Sequence, residues 1–122
     1  MKNIKEKLLE KLIEYERIDP ALSPDEKTEA KEKFACENID VNNFNILKVR
    51  DAIMGLGTIL EEDLDKKYYI TTVKIGSIGA YEAVAIVSLD QNKLSIAAYA
   101  KEGLLFQNNA RKAVDKIKAR IK

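Results

Sequence analysis

Any chemistry in this chain must be done without histidine, because none occurs among its 122 residues. That excludes Ser-His-Asp and Cys-His catalytic arrangements, His-ligated zinc and the usual side-chain switch near neutral pH. The single cysteine, Cys36, has no intramolecular disulfide partner. No activating group stands beside it, and Phe34-Ala35-Cys36 reads as the buried end of a helix. Glu61, Glu62, Asp63 and Asp65 offer hard oxygen donors, yet their spacing is not that of an EF-hand loop and Lys66-Lys67 follows at once. They read as a solvated acidic turn. Gly55-Leu56-Gly57-Thr58 presents backbone N–H groups of the kind that cradle phosphate. It lacks the Gly-Lys-Ser/Thr of a P-loop, and the third glycine and preceding strand of a dinucleotide fingerprint. A glycine stop for one helix followed by a new N-cap explains it more simply. Glu82 is the one charge within an apolar stretch and is expected to pair with Lys74 or Lys93. No catalytic residue, metal site or cofactor is expected from this inventory.

Two groups of residues point to binding instead. Charge is uneven although the whole chain carries a formal +1. Residues 21–65 hold five bases against eleven acids, whereas residues 101–122 hold seven bases against two acids. On a helix, Arg111, Lys118 and Lys122 share one flank, and Lys112 and Lys116 the other. One reading is a phosphate-contacting surface for nucleic acid. Others are a solvated helix face whose bases complement the C-terminal dipole, or a basic end that meets the acidic middle of the chain. The second group is Leu94 to Ala100, a β-type run with neither charge nor proline. If it lies at the rim of a sheet, Leu94, Ile96 and Ala98 need something beside them, supplied either by the N-terminal part of the chain or by another molecule.

The elements that would hold these groups follow from hydrophobic period. Ile4, Leu8, Leu9, Leu12 and Ile13 mark one face of a helix over about residues 3–18, stopped by Asp19-Pro20. Ser23-Pro24-Asp25-Glu26 is a capping box and predicts a polar helix reaching about Glu37. A turn-rich joint follows, then a helix over about 45–54 with Ile46, Leu47, Val49, Ile53 and Met54 as its buried side, and a short acidic helix over 58–65. From Lys67 the period becomes two, predicting strands over 67–75, 81–89 and 94–99 joined as a meander, with Asn92 as the residue of positive φ in the second turn. A last helix over about 103–121 carries Phe106, Ala110, Ala113, Val114, Ile117 and Ile121 in one arc, suited to docking on alanines of the second and third strands.

The expected fold is therefore a single α+β domain over residues 1–122: N-terminal helices, a three-stranded antiparallel meander and a C-terminal helix packed on the sheet. With no apolar window long enough to span a bilayer and an N-terminus that mixes acids and bases, a cytoplasmic protein with no membrane partner is expected, and the Lys-, Ile- and Asn-heavy composition with few Arg suggests a bacterial source. The functional expectation is a small non-catalytic protein acting through protein–protein contacts, self-association or adaptor-like, with residues 94–100 as the contact edge. The alternative is nucleic-acid association through the basic C-terminal helix.

Overall fold

Tyr68 to Tyr99 is the segment where apolar, β-branched and aromatic residues dominate, and it forms the middle of the sheet. In the computed structural model, which describes residues 4–16, 34–42, 44–75, 81–100 and 109–121, it supplies β3 (Tyr68–Ile75), β4 (Tyr81–Asp90) and β5 (Lys93–Tyr99). Two further strands flank them, β1 (Phe34–Asp40) and β2 (Ile59–Asp63). All neighbours are antiparallel, in the order β1-β5-β4-β3-β2. Three helices complete the described fold: α1 (Ile4–Glu16), α2 (Ile46–Ile53) and α3 (Asn109–Ile121). The α+β class is as expected; the three-stranded meander is not, because the sheet has five strands.

Both extra strands were hidden for physical reasons. β1 was expected to be the end of a helix, and residues 23–33 of that helix lie outside the described residues. Within β1, Ala35 and Ile39 pack into the core on one face, and Glu37 stands between them. A carboxylate in the middle of an apolar alternation conceals the strand until its compensating charges are known, and those lie on α3. The segment expected as a short acidic helix is β2, with a bulge between Ile59 and Glu61. Carboxylates are poor strand formers, but hydrogen bonding to β3 overrides that preference here.

Alternation on β3 divides the core in two. Tyr69, Val73 and Ile75 face α2 and α3, where Val49, Ile53, Ala110, Ala113, Val114 and Ile117 meet Ala83, Ala85, Val87, Leu94, Ile96 and Ala98. Tyr68 and Ile70 face the opposite layer, with Val84, Ile86, Ala97 and Tyr99 under Leu8 and Leu12 of α1. The C-terminal helix thus docks on alanines of β4 and β5, as its apolar arc predicts. α2 is started by Asn45, whose side chain accepts the N–H groups of Leu47 and Lys48 at 3.0 Å each. Gly55, at φ 90°, follows the Met54 C-cap in the left-handed conformation that ends many helices. In the β4–β5 turn the positive φ belongs to Gln91, at 55°, and not to Asn92.

Candidate functional site

The rim expected along residues 94–100 is covered by the chain itself. β1 pairs with β5 from Phe34–Tyr99 to Asp40–Lys93, and β4 pairs with it on the other side. Leu94, Ile96 and Ala98 are all fully buried, so no partner can reach them. Of the two sources of cover considered for this strand, the N-terminal half of the chain is the one observed. Cys36, expected at the buried end of a helix, is an exposed residue of β1.

Much of the basic helix face is also spoken for. The Glu37 carboxylate receives Lys118 Nζ at 3.0 Å and lies 3.2 Å from the Arg111 guanidinium, which also meets Asp115 at 3.1 Å. The Lys118 hydrogen bond, with the neighbouring Arg111 charge adding to it, holds the Glu37 carboxyl below the usual range. Lys116 Nζ donates to the Lys74 carbonyl at 2.6 Å. Lys112 is exposed, and Lys122 lies outside the described residues. The basic end therefore meets the acidic middle within one chain, through a pairing that fastens α3 over β1.

Two other sequence candidates resolve as structural parts. The Gly55–Thr58 loop runs against β3: Lys74 N–H donates to the Leu56 carbonyl, Thr72 N–H to the Thr58 carbonyl, and Thr58 N–H to Thr72 Oγ1 at 2.7 Å. A Cβ on Gly57 would lie 2.2 Å from the Thr72 carbonyl oxygen, so close approach of two backbones is why glycine stands there. Glu82 is exposed and lies directly across from Lys74 in register. Among the described residues, no group of three or more acidic or cysteine side chains is arranged to hold a metal ion.

The acidic segment does gather ionisable groups, but they lock elements together. Glu61 accepts Lys11 Nζ at 3.0 Å and the Tyr68 hydroxyl, tying α1 to β2 and β3. Burial, then the hydrogen bond to the Glu61 carboxylate, pushes the Tyr68 phenol up to about 12. Lys7 Nζ sits 3.7 Å from the centre of the Tyr68 ring, and burial followed by repulsion from Lys66 pulls its amine down. Burial pulls Lys11 the same way, but its bond to Glu61 outweighs this and leaves it raised.

Sequence reasoning missed a different surface. The large hydrophobic side chains that stand exposed among the described residues are Leu47, Met54, Leu60 and Leu64, all from one stretch of the chain. Leu47, in the first turn of α2, and Met54, its C-cap, are 58% and 49% exposed, away from the core side of the helix. Val49 and Ile53 bury the opposite side. Leu60 and Leu64 flank Glu62, which reaches Arg50 of α2 at 3.7 Å. Arg50 Nη1 in turn approaches Met54 Sδ at 3.8 Å. The corner is firmly mounted, because Tyr69 donates its hydroxyl to the Ile46 carbonyl at 3.0 Å beneath α2. Isolated exposed hydrophobics are ordinary; four within residues 47–64, on two elements joined by the Arg50–Glu62 pair, are not. The expected buried side of this helix, Ile46, Leu47, Val49, Ile53 and Met54, is therefore corrected at Leu47 and Met54. The signal was present in the sequence, since five apolar residues are more than one narrow face of so short a helix needs.

No protein-family model matches the chain, and no curated protein matches it either. No helix among the described residues is long and apolar enough to cross a membrane.

Proposed function

We propose that this chain is a small non-catalytic cytoplasmic protein that acts through protein–protein contacts, made at the α2–β2 corner with a second copy of itself. The observation that carries the reading is that Leu47, Met54, Leu60 and Leu64 all stand exposed within one stretch of the chain. Contact surfaces are enriched in methionine and arginine, and a few residues carry most of their energy. Arg50 and Glu62, already paired at 3.7 Å, form the kind of polar border that fixes orientation in such contacts. The reading keeps protein contact as the role and moves it away from β5, whose own neighbours leave it no exposed edge.

Nucleic-acid contact through α3 has less support. Phosphate binding needs several uncommitted cations on one face, and Arg111, Lys116 and Lys118 are engaged within the chain.

Sedimentation velocity from about 5 μM to 500 μM tests the proposal, a range suited to micromolar contacts. The wild type should show a sedimentation coefficient that rises with concentration, and Leu47→Asp with Met54→Asp should remain monomeric while keeping the wild-type circular dichroism. A wild type that is monomeric throughout, or a double variant that associates equally well, would overturn it.

A further inference from the structure

Between α2 and the last turn of α3 lies an open groove of about 360 Å³, lined by Phe44, Lys48, Asp51, Ala52, Arg120 and Ile121. None of the four exposed hydrophobics of the α2–β2 corner lines it, so the groove is a surface separate from the self-contact. Phe44, Ala52 and Ile121 give it apolar surface. Asp51 and Arg120 bring opposite charges that do not meet, and neither forms an ion pair with another side chain among the described residues. Arg120 makes one long bond, from Nη2 to the Met54 carbonyl at 3.4 Å. A guanidinium has five N–H donors, so most of its capacity is unused. Arg120 thus differs from Arg111 and Lys118, both committed to Glu37.

We propose that this groove binds a free α-amino acid with an aromatic or large apolar side chain. The carboxylate is received by Arg120, the ammonium group by Asp51, and the side chain lies against Phe44 and Ile121. Charge decides the ligand class. With Arg120 and Lys48 against Asp51, a plain cation is disfavoured, and a plain anion is attracted but leaves the Asp51 carboxylate unanswered. A zwitterion satisfies both, and charge-assisted bonds to a carboxylate are a strength of arginine. Lys48, with Nζ 6.0 Å from the Phe44 ring centre, adds a second positive charge to the lining, which favours a ligand that carries a carboxylate. Size narrows the class further, because this volume is near the lower end for small-molecule sites and suits one residue better than a longer peptide. Phe44 supplies a ring against which an aromatic side chain can pack edge-to-face or offset.

The test is NMR titration of the full chain with L-phenylalanine, N-acetyl-L-phenylalanine and L-phenylalaninamide. L-Phenylalanine should give saturable shifts at residues 44–52 and 117–121. Each blocked compound should bind at least about ten-fold more weakly, as loss of one charge-assisted contact predicts. Arg120→Gln and Asp51→Asn, both at exposed positions, should each weaken L-phenylalanine by a similar factor while leaving the rest of the spectrum unchanged. Absence of saturable shifts up to about 20 mM would overturn the proposal. So would a blocked compound that binds as well as L-phenylalanine, or affinity that survives both substitutions. Failure here leaves the self-contact untouched, since that is read by sedimentation of variants at other residues.

Discussion

Ile96→Ala puts the five-stranded sheet to a quantitative test. Ile96 is fully buried, faces α3 and α2, and lies in register between Glu37 of β1 and Val87 of β4. Truncation removes three carbons, worth about 0.8 kcal/mol each when fully buried, or about 2.4 kcal/mol in lost transfer free energy. Neighbours held on both sides by ladder hydrogen bonds relax little, so a residual void of ~50 Å³ at ~24 cal/mol per Å³ adds about 1.2 kcal/mol. The expected loss is about 3.6 kcal/mol. Had β5 been an uncovered rim, Ile96 would be partly exposed and free to collapse, and the same change would cost about 1 kcal/mol. Urea unfolding followed by circular dichroism and tyrosine fluorescence reads the difference as a lower midpoint at unchanged slope. A loss below about 1.5 kcal/mol, with both probes coincident, would refute the reasoning that β1 shields this position.

Other outcomes follow from the same geometry. Glu37 is held below its ordinary value of 4.5 by Lys118 and Arg111, so its contribution is complete above that value and is lost as pH falls through the lower folded one. The stability gap between wild type and Glu37→Gln should therefore be widest near neutrality and close in acid; a gap constant from pH 7 to about pH 3 would contradict the pairing. Gly57→Ala would place a methyl 2.2 Å from the Thr72 carbonyl oxygen, forcing the α2–β2 connection off β3. A thermal-melt loss of about 1–3 kcal/mol is expected, and a neutral effect would show that the two backbones are not in contact. The Tyr68 phenol, raised to about 12, should be absent from the tyrosinate absorbance that appears near pH 10, and Tyr68→Phe should leave that early phase unchanged. Its raised value gives stability that is whole below the unfolded tyrosine range and is lost as pH climbs toward 12.

What was legible in the sequence was whatever repeats locally. Alternation from Tyr68 to Tyr99 located three strands, and the arc from Ala110 to Ile121 located the helix that covers them, because each pattern is complete within its own element. β1 and β2 were illegible because their stability is supplied from afar. Glu37 is tolerable in a half-buried strand only because Arg111 and Lys118 arrive from α3. Glu61 is tolerable because Lys11 and Tyr68 come to it from α1 and β3. Read without those partners, both segments look like polar helix or turn. The expected contact surface depends on both: without β1, β5 stands at the rim, and with Leu47 and Met54 on the buried side of their helix the apolar surface exposed there goes unseen. The capping box at Ser23 remains a reading of residues outside the described part of the fold.

Amide hydrogen exchange on residues 94–99, measured on dilute monomer, tests the central claim most directly. With β1 on one side and β4 on the other, these amides should be protected alternately by both neighbours and exchange as slowly as those of β4. If every second amide of β5 instead exchanged at the rate of an open loop, and gained protection only as concentration rose, β1 would not be the neighbour that covers this strand.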